Sequence, residues 1–176
     1  MELVDLYDEN RAPLGRTAER YGPKGPGEYR TVVHVCAFSR DGRFLIQRRT
    51  ENKHIWPGRW DLSVGGGVDA GETSRQAAER EFREELGYPL DLGTQRPSVT
   101  VNFDGGFDDF FLTVLDLDLD LDLDALTLQP EEVAEVRYVT LAEAEAMAAD
   151  GRMIPYPQGF LRFLYEMRET FGFPTK

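Results

Sequence analysis

The chain has 176 residues, 41% of them hydrophobic, and a net charge of −12. That is the size of one ordinary domain with enough apolar content for a core. The charge argues against a nucleic-acid polymer or an anionic membrane surface as partner, while a small anionic substrate remains compatible if a metal cation sits between it and the protein.

No apolar run approaches the roughly 18 residues of a membrane span. The start, MELVDLYDENR, has neither the basic nor the apolar region of a secretory signal. A single cysteine, Cys36, rules out an internal disulfide and fits a cytoplasmic location. In chain order, ELVDLYD and LGRTAE read as two strands of an N-terminal hairpin that turns at DENRAP and is followed by the Gly/Pro-rich loop YGPKGPGE; hairpin and loop occupy 1–28. This hairpin either covers its own sheet or pairs with another chain, so a homodimer is one arrangement it allows. YRTVVHVCAFS and RFLIQRR form a second hairpin around Asp41-Gly42. WDLSV (60–64) is a short strand, and GGGVDAGE (65–72) holds too much glycine for a helix or a regular strand.

Thr73 or Ser74 caps a helix that runs to about Leu86, buries Ala77, Ala78, Phe82 and Leu86 on one face, and stops at Gly87. VTVNF and FFLTVLDLDLD follow as strands around Asp104-Gly105-Gly106, then EVRYV (135–139). In the run LDLDLDLDLD (115–124), Leu faces inward and Asp outward on a half-buried strand; carboxylates two residues apart on a strand are about 6.6–7 Å apart, too spread for a compact cation site. Thr140 and Glu143 make a capping box for a helix ending at Asp150-Gly151. A last helix, about 158–171, buries Phe160, Leu161, Leu164, Met167 and Phe171. Strands and helices mix without a regular βαβα beat, which makes the chain one α+β (mixed α/β) domain over 1–176.

The helix at 73–87 carries Glu79, Glu81, Glu84 and Glu85 within seven residues. Glu81, Glu84 and Glu85 share a face by their i, i+3 and i+4 spacing, and three like charges there are destabilising unless offset. One reading is a solvated helix face, with Arg75, Arg80 and Arg83 as partners. The other is a metal site. A glycine-rich loop precedes the helix and brings backbone oxygens close to a ligand; a loop carbonyl with three carboxylates is an all-oxygen set that suits Mg²⁺ or Mn²⁺. A Cys/His zinc site is not available with one cysteine and two distant histidines, His34 and His54, which read as strand and loop residues.

Gly66, five residues, Glu72, seven residues, Arg80-Glu81-Phe82, one residue, Glu84-Glu85, one residue, Gly87 resembles the Nudix box, placed at 66–88. The final position, usually aliphatic, is Tyr88. The resemblance implies an α/β/α sandwich with a mixed sheet, here with an N-terminal hairpin extension and a C-terminal helix. It implies Glu81, Glu84 and Glu85 as metal carboxylates, Gly66 as the glycine whose carbonyl helps hold the ion, Arg80 as the residue that orients Glu81 and the loop, and Glu72 as a supporting acid. Residues 3–90 also look like the branch that shares its N-terminal hairpin with isopentenyl-diphosphate isomerase.

The expected chemistry is Mg²⁺-dependent hydrolysis of a small diphosphate of nucleoside diphosphate type by activated water, with Mn²⁺ as a substitute. The base for the water is Glu84, Glu85 or an acid from outside the box, with Glu131 and Glu132 as candidates and Asp108 and Asp109 behind them. Arg48, Arg49 and Lys53 are candidates for substrate phosphates, although strand alternation sends only one of the two arginines to a given face. Trp56 and Trp60 either stack on a base or pack in the core. The competing isomerase chemistry needs a cysteine just after the strand's Trp, and WDLSVGGGV has none; Cys36 reads as a packed small hydrophobe. A third reading, a non-catalytic Nudix-fold module, is disfavoured because every box glutamate is present.

Overall fold

A computed structural model describes residues 2–103, 105–115, 123, 126–157 and 159–169. The N-terminal hairpin pairs β1 (Leu3–Tyr7) with β2 (Pro13–Glu19) as a separate antiparallel ribbon. It covers its own chain. Ala70 N–H donates to the Leu3 carbonyl and Gly71 N–H to the Asp5 carboxylate, both at 2.8 Å.

The main sheet is built on β3 (Arg30–Phe38), where alternating β-branched residues give two apolar faces. One edge of β3 pairs in parallel with β8 (Gly106–Val114), which in turn pairs with β7 (Val99–Phe103). The other edge splits. The tight turn at Asp41-Gly42, with Gly42 at φ 82°, leads into β4 (Phe44–Arg49), yet β3 and β4 pair only at Phe38 and Phe44. Further along, the same edge of β3 is taken by β6 (Val64–Gly67), while β4 pairs with β5 (Trp60–Asp61) and β9 (Val133–Val139). The second hairpin therefore holds at its turn only. Ser63 plugs the split: its hydroxyl donates to the Leu45 carbonyl and accepts from Ala37 N–H.

Two expectations are corrected. WDLSV is two short strands broken at Leu62-Ser63. The triple glycine is regular strand: Gly65, Gly66 and Gly67 lie opposite His34, Val33 and Val32. Glycine's weak strand propensity is overridden by pairing along a fixed edge. In addition, β8 begins at Gly106, four residues before the expected Phe110.

Helices cover both faces. α1 (Ser74–Leu86) has Thr73 as its N-cap in a reciprocal box with Gln76, and it ends on Gly87 at φ 67°. Its Ala77, Ala78, Phe82 and Leu86 pack on Val33, Val35, Ala37, Leu45 and Phe111. Tyr88, the departure from the box, fits edge-on against Phe82 at 6.2 Å. α2 (Leu141–Ala149), with the expected Thr140–Glu143 box, and α3 (Phe160–Met167) cover Cys36, Phe38, Phe44, Ile46, Phe110 and Leu112 on the opposite face. In α3, Leu161 and Leu164 are buried, Phe160 and Met167 partly so, and Phe171 lies outside the described residues. Most of the LDLD run also lies outside them; Leu115, at its start, is buried under α1. Among the described residues no helix is long and apolar enough to cross a membrane.

Candidate active site

α1 lies across the split in the sheet. Glu81, in mid-helix, meets β6, and Glu85, one turn on, meets β4. A side chain at Gly66 would overlap the Glu81 carboxyl, so the glycine is what lets that carboxylate lie against the strand backbone. Glu85 accepts a hydrogen bond from the Gln47 amide at 2.8 Å. Both carboxylates are buried, Glu81 to 7% exposure and Glu85 to 4%, whereas the Glu84 side chain is 48% exposed. The solvated-face reading thus fails for two of the three.

Arg80 organises the loop and helix. Its guanidinium donates to both oxygens of Glu72 at 2.9 Å, to Glu81 at 2.9 Å, to Glu84 at 3.2 Å and to the Gly67 carbonyl at 3.0 Å. Those bonds, Glu72 first, hold it protonated far beyond its ordinary range. Burial pushes the Glu81 carboxyl up, and Arg80 and Arg20 oppose the rise. Burial pushes Glu85 further, to about 8; Gln47 pulls it down, the negative charges of Glu81 and Glu132 push it up, and Lys53 pulls it down.

The carboxylates open into a cleft of about 260 Å³ that also admits Lys53, Gly65, Gln129 and Glu132. Glu132 arrives there because the C-terminal turn of α1 anchors its loop. Thr127 and Gln129 N–H groups donate to the Leu86 and Glu85 carbonyls, which the helix leaves unpaired. Lys53 and Glu132 form an ion pair inside the cleft.

Of the residues singled out in sequence, Arg80, Glu81, Glu84, Glu85, Lys53 and Glu132 come together, with Gly66 behind Glu81. Arg48 and Arg49 do not line the cleft. A register shift at this pair disturbs the strand; Arg48 goes to Glu135 and Glu51, and Arg49 to Asp61 and the Ile55 carbonyl. Trp60 is core, with Arg137 over its ring, and Trp56 is a loop residue at φ 53°. Glu131 gives its carbonyl to Thr50. Asp108 stands 3.6 Å from His34, and Asp109 is a buried partner of Arg11.

Sequence reasoning missed Gln47, Arg20 and Tyr21. Arg20, from the end of β2, reaches the cleft and stands 3.9 Å from Glu81. Its approach is made over Gly67, where a Cβ would sit 2.8 Å from the Arg20 Nε. The signal for Gln47 was present: it is an amide two residues after Leu45, on the inward face of an apolar strand.

The donors suit a hard divalent ion. They are all oxygen, they adjoin a glycine cradle, and Glu81 and Glu84 already share one cationic group, the Arg80 Nη1. Among the described residues no three acidic, histidine or cysteine side chains converge as a ready-made ion cage.

A family model, the NUDIX domain, matches residues 28–157. The chain belongs to the Nudix hydrolase family. It is 46% identical over 170 residues to an uncharacterised Nudix hydrolase of Listeria innocua, covering 97% of each chain. It is also 31% identical over 142 residues to an isopentenyl-diphosphate isomerase of Streptomyces griseus, covering 80% of this chain and 72% of the isomerase. In fold it is similar to a crystal structure from Deinococcus radiodurans, with a TM-score of 0.71 and 24% identity, over 94% of this chain and 98% of the other. As an enzyme this Nudix family member is a pyrophosphohydrolase.

Proposed function

We propose that this Nudix hydrolase cleaves the diphosphate linkage of a small nucleoside diphosphate-type substrate with Mg²⁺, for which Mn²⁺ substitutes. The observation that carries the reading is the meeting, in one cleft, of Glu81, Glu84 and Glu85 with Lys53 and Glu132 from the opposing loops. Glu81, Glu84 and Glu85 would hold the ion, with Gly66 giving the Glu81 carboxylate its room beside the strand. When bound, the ion neutralises the crowded phosphate charge and makes its water acidic enough to be a nucleophile at neutral pH.

The protein does the rest. Arg80 locks Glu81, Glu84 and the loop carboxylate Glu72 into one unit, so the ligand oxygens are ordered in advance. Glu132 takes the proton of the attacking water, and Lys53, which pairs with it, meets a substrate phosphate. The isomerase alternative has the support of one relative, but the only cysteine, Cys36, is fully buried on the α2–α3 side of the sheet, and burial pushes its thiol up and away from reactivity.

The test is phosphate release over a panel of nucleoside diphosphate derivatives with Mg²⁺, for the native chain and Glu85→Gln. One compound class should turn over, and the variant should lose about a thousandfold, roughly 4 kcal/mol of barrier. Equal rates for the two proteins would overturn the reading.

A further inference from the structure

Gln47 is out of place as a packing residue. The strand positions before it are Phe44, Leu45 and Ile46, all buried and apolar. Alternation puts Gln47 on the same face as Leu45, beneath α1, where it is 3% exposed. A leucine or valine there would extend the layer formed by Leu45, Ala77, Phe82 and Leu86. Instead an amide stands against the carboxylate of Glu85.

Half of that amide is used. The Nε2 donates to the Glu85 Oε2 at 2.8 Å, and the Oε1 is buried without any hydrogen-bond partner. With Glu85 ionised, as a carboxylate holding a cation is, reversing the amide would set its oxygen against a carboxylate oxygen, acceptor against acceptor, so the donating orientation is the one the metal-holding state selects. A buried amide oxygen without a donor is costly, and native proteins rarely keep one that has no task. The donation to Oε2 also fixes the rotation of the Glu85 carboxyl, so that its other oxygen is the one left for a ligand.

We infer that Gln47 is a positioning residue for the metal site: its N–H aims the Glu85 carboxylate, and the amide is kept in this apolar layer, at the cost of an unpaired oxygen, for that donation. This rests on the metal-dependent hydrolase reading and adds to it a residue outside the Nudix box. Groups that orient metal ligands from behind typically govern metal affinity or activity by about 10–100-fold. Gln47 touches neither the reacting atoms nor the ion, so its effect runs through Glu85.

The experiment is Mn²⁺ binding to the metal-free protein, read as free Mn²⁺ by electron paramagnetic resonance, beside melting temperature and steady-state kinetics. Gln47→Leu and Gln47→Met fill the same space without the amide. Both are expected to fold with a cooperative melt near that of the native chain, because the loss of the unpaired Gln47 oxygen is set against the Glu85 oxygen left without its donor. Mn²⁺ affinity should fall at least tenfold, and kcat should fall with KM held within about threefold. Unchanged Mn²⁺ affinity in either variant that folds would overturn the inference, as would failure of the native chain to take up Mn²⁺ at all. If the native chain binds Mn²⁺ but hydrolyses no diphosphate, the hydrolase reading fails while the affinities still decide the role of Gln47.

Discussion

At the scale of single residues, the chemistry turns on carboxylates placed where they are uncomfortable. Glu85 is raised to about 8, first by burial and then by its acidic neighbours Glu81 and Glu132. A carboxyl raised in the fold holds its proton through a range where the unfolded chain has lost it. Between the ordinary glutamate range and pH 8 the metal-free protein therefore loses stability as pH rises. A divalent ion must displace that proton, so Mn²⁺ affinity should climb about tenfold per pH unit below pH 8 and level off above it. Titrations from pH 6 to 9 check this; the slope should lessen in Glu85→Gln, and a flat profile in the native chain would count against a protonated Glu85. The grouping of Glu81, Glu84 and Glu85 was legible in sequence, because i, i+3, i+4 spacing fixes a shared helix face whatever the tertiary structure. Their burial was not, since it depends on Gly66 and Gln47, which other elements bring to the helix. Lys53 and Glu132 are 79 residues apart in the chain, and no local pattern announces their pairing.

Between elements, the N-terminal hairpin is held to the sandwich by a buried clamp. Asp109 of β8 is fully buried and accepts from Arg11 in the hairpin turn, from Ser74 at the start of α1, and from Thr100 of β7. Burial works to raise its carboxyl, but these donors outweigh burial and leave it lowered. A lowered carboxyl contributes stability above the unfolded range that is lost as pH falls through its folded value. Replacing Arg11 with Ala strands the buried charge. A loss of about 2–4 kcal/mol is expected, moderated because the outer edge of Arg11 meets solvent, and it is read as a fall in melting temperature together with faster amide exchange in 3–19. Unchanged exchange there would mean that the strand pairing alone holds the hairpin. Sequence reasoning found the hairpin, the Thr140–Glu143 box, a cap at Thr73 or Ser74 and the Gly87 stop, because each is set by local backbone chemistry; the reciprocal partner Gln76 was not foreseen. It missed β6, where glycines carry no strand signal. Each of them makes room for a neighbour instead: Gly65 for His34, Gly66 for Glu81, Gly67 for Arg20. Arg48 and Arg49 stand outside the cleft, at a register shift on the strand end where simple alternation no longer applies.

Across the whole molecule, the split sheet is what makes the site. One edge of β3 is shared between β4 and β6, α1 lies over the division, and the two strands receive its two buried carboxylates. The hairpin closes one side of the resulting cleft with Arg20, and the loop docked on the end of α1 closes the other with Glu132. An acidic chain thereby gathers its acids around one small opening, lined also by Lys53, Arg20 and Arg80, that suits a cation and its phosphate ligand. The central claim is that water attacks phosphorus there. It is tested most directly by running the reaction in ¹⁸O-enriched water with Mg²⁺ and reading the products by ³¹P NMR. The account predicts the isotope shift of one bound ¹⁸O on one product phosphate, and no reaction when the ion is chelated. Substrate consumed without ¹⁸O in either phosphate would contradict it.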